Sequence, residues 1–261
     1  MKVLHLPKKD LKLFINRLLR QYPIFGPVAH GKNVVFGLIK KAEEIKLDYD
    51  QTILPPKKYF LPPVDTLFSF NQDQITIESK IEEPRIILGI HACDLNALKS
   101  LDQIMGDTYP DPYYQQRRKN TFLIALNCTR PCSYGFCTSF NTGMAVDDGY
   151  DLALTDLGEV FLVEVGSEKG SELAEGLTSA TEEEIIAAKR AIRAGQHRMT
   201  RRIEEENLSN FLLQRTAHPY WEKLKEKCLA CGSCTHVCPT CFCFAVQDQL
   251  DLTLEKGKRE R

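Results

Sequence analysis

The sequence predicts an α/β body followed by a small, mostly helical, cysteine-rich module at the C-terminal end. Three observations carry this reading. Two apolar runs of buried-strand length, "RIILGI" (85–90) and "TFLIALNC" (121–128), flank a helical stretch, and strand–helix–strand order marks a parallel α/β unit. Apolar residues make up 43% of the chain, enough for a sizeable core. The ten cysteines are unevenly placed: none precedes Cys93, four lie mid-chain, and six fall within residues 228–244.

The elements follow in order. Residues 8–22 set Leu11, Phe14, Ile15, Leu18 and Leu19 at helical spacing. "NVVFGLI" (33–39) and "TLFSF" read as strands, and "LPPKKYFLPP" (54–63), with its two Pro-Pro pairs, is expected to be extended rather than helical. Between the two apolar runs, "DLNALKSLDQIMG" is helical with Asp94 as N-cap. "DLALTDLG" and "EVFLVEV" (159–165) add strand material, and "VGSEKG" is a turn capped by Ser167. Thr181 and Glu184 have capping-box spacing at the head of a long helix with Ile185, Ala188, Ile192, Met199 and Ile203 on one stripe, weakened at Gly195. Helix continues through "NLSNFLLQRTAHPYWEKLKEK", broken at Pro219. The expected organisation is an α/β domain over residues 1–180, a helical connector over 181–222 and the cysteine module over 223–261.

Charge and composition narrow the function. With 34 basic and 35 acidic residues the net charge is −1, which argues against nucleic acid or an anionic membrane as the main partner. The terminal "KGKRER" is expected to be solvated, as are Arg117 and Arg118. No run approaches the ~18 apolar residues of a membrane span, and "MKVLHLPKKD" lacks the apolar core of a signal peptide. A cytoplasmic location follows as the expectation, and there the cysteines serve as metal ligands, redox groups or buried small hydrophobes rather than disulfides. Neither a G-x-G-x-x-G fingerprint nor a P-loop is present.

Cys228, Cys231, Cys234 and Cys238 read C-x2-C-x2-C-x3-C-P, the run with which bacterial ferredoxins bind a cubane [4Fe–4S] cluster. Two residues between thiolates let the chain wrap a cluster corner, Gly232 and Ser233 allow close backbone approach, and Pro239 turns the chain away. Structural zinc sites instead use two separated ligand pairs. His236 is read as a bystander. In two-cluster ferredoxins the fourth cysteine of such a run serves the other cluster, so Cys238 closes the cluster locally, or Cys241 or Cys243 does, or a ligand comes from elsewhere. Mid-chain, Cys128, Cys132 and Cys137 follow one buried strand and Cys93 follows another. Sites in open α/β sheets form outside the carboxyl ends of strands. If the two strands are neighbours, the four thiols converge and suit a second cubane, with Gly135 and Gly143 beside it. The alternatives are unrelated buried thiols, or a reactive Cys93 thiolate at a helix N-terminus.

Taken together, "LPPKKYFLPP", "GIHACDLNAL", "DPYYQQRR", "ALNC…FCTSF", "GYDLALTDLG", "VEVGSEKG" and "CLACGSCTHVCPTCFCF" resemble, in this order, a family of iron–sulfur electron-transfer subunits. That family includes the beta subunit of cytosolic sulfhydrogenases and an iron–sulfur subunit of anaerobic sulfite reductase, and the resemblance runs from about residue 50 to 261. It implies a ferredoxin-like C-terminal module and a non-catalytic subunit of a multi-subunit oxidoreductase. Such a subunit relays electrons between a flavin (FAD) subunit that meets NAD(P)H and a terminal catalytic subunit. It also implies several [4Fe–4S] clusters, with Cys93, Cys128, Cys132 and Cys137 carried over as ligands. Family members continue into a second cysteine run after the position of "GKRER", so a third cluster is expected only if its ligands are supplied from outside these residues. The rival from another class is a zinc-stabilised assembly module without redox chemistry.

Overall fold

A computed structural model describes residues 2–77, 83–140, 142–204 and 206–261. In chain order its elements are β1 (Val3–Pro7), α1 (Leu11–Leu19), β2 (Ile24–His30), β3 (Asn33–Ile39), β4 (Thr66–Asn71), β5 (Ile75–Ile77) and β6 (Arg85–His91). Next come α2 (Ala92–Gly106), α3 (Pro112–Lys119), β7 (Thr121–Asn127), β8 (Leu152–Asp156), β9 (Val160–Val165), α4 (Glu168–Leu173) and β10 (Thr178–Ser179). The chain closes with α5 (Glu182–His197), α6 (Leu208–Leu213), α7 (Tyr220–Lys227), α8 (Ser233–Val237), β11 (Gln247–Leu250) and β12 (Lys256–Glu260).

An eight-stranded sheet in the order β10-β1-β9-β8-β7-β6-β2-β3 forms the body. Its centre, β2-β6-β7-β8, is parallel, and the flanking pairs are antiparallel. The parallel strands are covered on both faces, which is why their sequences are unbroken apolar runs rather than alternating ones. Ile86, Leu88 and Ile124 join the layer that includes Ile15 of α1, while Ile87, Leu123 and Ala125 join the layer of Leu95 and Leu98 on α2.

Gly89 changes this alternation. Its φ is +85°, and the β6–β7 register slips between Leu88 and Ile90, so these two residues face opposite layers although they are two apart. A Cβ on Gly89 would meet the Pro27 ring at 3.1 Å, so glycine is required both for the conformation and for the space. The bulge sets which way the end of β6 delivers His91 and Cys93.

Several expectations held and several did not. β3 spans residues 33–39 as predicted, Ser167 caps α4, and the Thr181–Glu184 capping box closes with both hydrogen bonds. β1 and β2 were not anticipated. The N-cap of α2 is His91, and Asp94 lies inside the first turn, because the strand runs into the helix without a linker. "LPPKKYFLPP" is not wholly extended: Pro56 starts a 3-10 turn over Pro56–Tyr59, since proline's fixed φ suits the first position of a turn, and the turn buries Lys57 and Phe60. The helix of the connector ends at His197, so Met199 and Ile203 lie beyond it. Pro219 then separates α6 from α7.

The basic tail is the largest correction. It is β12, the second strand of a four-stranded antiparallel sheet ordered β11-β12-β4-β5, pairing Lys256–Glu260 with β4. Beyond it Arg261 exchanges backbone hydrogen bonds with Asp65, and its guanidinium, only 7% exposed, reaches the carboxylates of Asp65 at 3.0 Å and Asp111. Arg117 holds Asp65 from the other side through two bonds of 2.6 and 2.8 Å, so it too is an internal residue rather than a surface one. A sequence pattern of alternating charge hid this, because the partners lie some two hundred positions upstream. The C-terminal region is thus knitted into the body by a sheet and a buried charge cluster. Among the described residues no helix is long and apolar enough to cross a membrane.

Burial works to raise the carboxyls of Asp65 and Asp111, but hydrogen bonds from Arg117 and Arg261 at the first and from Arg261 and the Tyr114 amide at the second hold both below the usual carboxylate range. Their stabilisation is present above the unfolded value of ~4 and is lost as pH falls through the lower folded value. Arg261→Met strands Asp111 beside a neutral side chain; chemical denaturation is expected to show a loss of about 2 kcal/mol at neutral pH. That deficit should shrink as the solution is acidified below ~pH 4.

Candidate metal centre

β6 and β7 are parallel neighbours with His91 opposite Leu126, so Cys93 and Cys128 leave the sheet at the same edge. This is the condition set above for the four mid-chain thiols to converge on one edge. Cys93 is the second residue of α2, and a backbone N–H of the first turn, that of Asp94, donates to its sulfur. Cys128 is fixed by its own amide, which donates to the Met144 carbonyl at 2.7 Å. The preceding Asn127 is buried, donating to Thr155 at 2.9 Å and accepting from the Val146 amide at 3.0 Å, which ties the loop to both β8 and residues 144–146. Cys132 accepts from the amides of Tyr134 and Gly135, and a Cβ on Gly135 would sit 2.5 Å from the Cys132 sulfur. Cys137 begins a 3-10 turn over Cys137–Phe140.

Cys128, Cys132 and Cys137 feel one another's charge, and Cys93 feels Cys128 and Cys132. Burial pushes Cys128 up to about 12, with Cys137 and then Cys132 adding to it; burial also raises Cys132 and Cys137. Cys93 is raised well above its ordinary value by burial, then by Asp94 and Cys128. Cys93 nonetheless keeps exposed surface, and Cys128, Cys132 and Cys137 are half-buried. A raised value is the reverse of what a nucleophilic cysteine requires. Asp94, raised to about 7 by burial, lies at the same place.

Residues that no sequence pattern flagged complete the surroundings. His91, held neutral at about 4 by burial, stacks on Tyr49 at 4.1 Å, and the Tyr49 hydroxyl donates to the carbonyl of Gly89 at 2.7 Å. Asp50 accepts from the Ser133 amide at 3.1 Å and hydroxyl at 2.8 Å. The end of α5 clamps the cysteine loop: Arg198 donates to the Thr129 carbonyl at 2.8 Å, and a Cβ on Gly195 would lie 2.8 Å from the same oxygen. Gly195, which weakens the helix by propensity, is there for this close approach. A recess of about 400 Å3 opens beside Cys132, lined by Asp50, Arg130, Arg198 and Arg201 among others. For these surroundings the sequence holds one usable signal, Gly89 inside an apolar strand, since such a glycine marks a bulge.

The C-terminal run is built differently. Cys228, Cys231 and Cys234 are exposed and Cys238 is half-buried. The turn between them needs Ala230 at φ +51° and Gly232 at φ +73°. The Ala230 amide donates to the Cys228 sulfur at 3.4 Å. The Ser233 amide donates to Cys231, whose sulfur lies 3.2 Å from the Ser233 hydroxyl, and the Thr240 amide donates to Cys238, whose sulfur lies 3.3 Å from the Thr240 hydroxyl. The mid-chain Cys132 accepts from Tyr134, again two residues on. This repeated N–H···S pattern spreads thiolate charge into the backbone, as iron–sulfur ligation requires. Cys231 is lowered from its ordinary value by Ser233; at Cys238 burial opposes but Thr240 prevails. Cys243 is hydrogen-bonded to Cys241 and close enough to Cys234 to feel its charge, so both spare cysteines turn toward the run. One short helix, α8, carries Cys234, and the rest of the region is β11 and β12.

Residues 227–261 match the 4Fe–4S dicluster domain family. Over 239 residues, 90% of this chain and 71% of the relative, the sequence is 37% identical to the beta subunit of sulfhydrogenase 2 from Pyrococcus furiosus. The chain belongs to the sulfhydrogenase beta-subunit family. It is an iron–sulfur electron-transfer protein with at least one [4Fe–4S] cluster. No solved structure matches it. Among the described residues no three His, Cys, Asp or Glu side chains close to the spacing of a single metal ion; a cubane is larger than an ion and is met at its corners by separated thiolates. An all-sulfur donor set, glycines where backbone must approach sulfur, and N–H groups aimed at the thiols fit such a cluster.

Two outcomes are expected. Raised thiols must surrender protons to metal, so loading of the mid-chain set should fail first as pH falls from about 8 to 6, before the C-terminal run. Anaerobic iron reconstitution across that range, comparing Cys128→Ser/Cys132→Ser with Cys228→Ser/Cys231→Ser, checks this. Gly195→Ala should destabilise by about 1–3 kcal/mol through overpacking against Thr129, outweighing the ~1 kcal/mol gained in helix propensity; thermal melts give the sign.

Proposed function

We propose that this chain relays electrons within a multi-subunit oxidoreductase of hydrogenase or sulfur- or sulfite-reductase type, without substrate chemistry of its own. One [4Fe–4S] cluster is held by Cys228, Cys231, Cys234 and Cys238, with Cys241 or Cys243 in reserve as fourth ligand. A second is held by Cys93, Cys128, Cys132 and Cys137. A third requires ligands from outside these residues. The observation that carries the second site is the parallel pairing of β6 with β7, which delivers Cys93 and Cys128 to one edge. The ferredoxin-like reading of the module rests on its cysteine spacing and N–H···S bonds.

Each cluster supplies one-electron chemistry when bound. The chain's own residues supply the rest. First-turn amides of α2 and the loop amides after Cys132 and Cys137 spread the charge of the sulfurs. The apolar layer of β6 and β7 backs the mid-chain thiols, and the exposed C-terminal run meets the partner. We place a flavin (FAD)/NAD(P)H-binding subunit on one side of this relay and a terminal catalytic subunit on the other, in the cytoplasm. The name of the Pyrococcus relative is that of one subunit of an assembly. Large apolar side chains left exposed between residues 212 and 254, among them Trp221, Leu229, Phe242 and Leu252, suit burial against such partners.

Anaerobically purified protein is expected to be brown, with about four irons per cluster and broad visible absorbance. Cys231→Ser and Cys128→Ser should each remove one cluster's iron and leave the other. A colourless protein with stoichiometric zinc would overturn the reading in favour of an assembly module.

A further inference from the structure

Lys57 lies outside both cysteine sets, in the turn after Pro56, and is only 8% exposed. Its Nζ donates to three backbone carbonyls: Thr235 at 2.6 Å, Cys238 at 2.8 Å and Cys241 at 3.0 Å. Three acceptors use all three donors of an ammonium. All three carbonyls belong to the cysteine run, in α8 or the turn just beyond it; the Cys238 carbonyl also accepts from the Cys241 amide at 3.3 Å. Among the described residues no carboxylate pairs with this ammonium. Cys241, Cys238 and Cys243 lie close enough to feel its charge.

We propose that Lys57 is a positioning residue for the C-terminal cluster, pinning the peptide from Thr235 to Cys241 to the body and placing a fixed positive charge beside that cluster. The proposal rests on the reading that this run holds a cluster. When such a cluster accepts one electron from a reductant, its charge becomes more negative by one. A neighbouring ammonium favours that state, so the midpoint potential is held more positive than without it. The same three bonds fix the run against the body, alongside the sheet of β12 with β4 and the Arg261 charge cluster.

The full-length chain tests both halves. In an anaerobic dithionite titration followed by electron paramagnetic resonance, Lys57→Met should shift the C-terminal cluster's midpoint to more negative potential while the mid-chain signal stays in place. Lys57→Arg should keep most of the wild-type value. In metal-free protein, amide hydrogen exchange over residues 233–243 should be about tenfold or more faster in Lys57→Met, the loss of one charge-assisted hydrogen bond being enough for that. An unchanged midpoint in an iron-replete Lys57→Met overturns the electrostatic half, and unchanged exchange overturns the pin. If Lys57→Met takes up no iron at this run, Lys57→Arg decides: a wild-type midpoint supports the proposal, and one shifted as far as complete loss of charge would demand overturns it. Wild-type protein without iron at these cysteines defeats the parent reading instead, and the exchange measurement still judges the pin.

Discussion

Parallel pairing of β6 with β7 is the constraint on which the mid-chain site depends. Two thiols 35 positions apart in sequence, Cys93 and Cys128, become neighbours only because His91 is aligned with Leu126. The alignment is itself conditional on the Gly89 bulge. Without the extra residue, the face presented by the strand end would invert, and His91 would turn to the opposite layer. The buried His91–Tyr49 stack and the Tyr49 bond to the Gly89 carbonyl hold the bulge from outside. Packing in the core and placement of the thiols are therefore one problem.

The C-terminal run depends on long-range ties instead. Its own helix has five residues and buries none of them, so local structure cannot hold it. It is held where chain segments far apart in sequence meet: β12 against β4, Arg261 between Asp65 and Asp111, and Lys57 on three carbonyls. Buried charges of this kind are costly to desolvate and worth little as net stability, but leaving one unpaired is worse. Their effect is to specify one docked position for a segment that has almost no core of its own.

What was legible in the sequence follows from this difference. Local signals were read correctly: the capping box at Thr181, the cap at Ser167 and the strand at 33–39; the C-x2-C-x2-C-x3-C run lies in the segment that matches the 4Fe–4S dicluster family. Each depends on residues a few positions apart. The strand–helix–strand order also announced the parallel pair, because two-faced burial leaves an apolar run that is visible locally. The tail at 256–261 and Lys57 were invisible for the opposite reason, since a lysine or arginine in a polar stretch looks the same whether it meets water or a carboxylate from a distant loop. Asp94 was misassigned because a strand feeding directly into a helix leaves no linker in which a cap can stand out. Gly195 was read as a helix weakness, and only the Thr129 carbonyl beside it explains why a side chain cannot be there.

The two thiol sets also differ in a way that bears on the direction of contact. The mid-chain thiols sit at the edge of the sheet and are pushed up by burial. In the C-terminal run, Cys231 and Cys238 are drawn toward thiolate by hydroxyl and amide donors. On the proposed reading, a relay needs one centre that a partner can approach and one held against the body. Exposed thiols surrounded by uncovered apolar side chains meet the first need; thiols at the ends of a doubly covered sheet, three of them half-buried, meet the second. The exposed run can serve a partner only if it is held in register with the mid-chain site. Both are anchored to the same body, the first through β4 and the turn at Lys57, the second through the ends of β6 and β7. Precision between two centres of such different local stability therefore comes from the body between them, and the modest core of the cysteine run is no obstacle to its role.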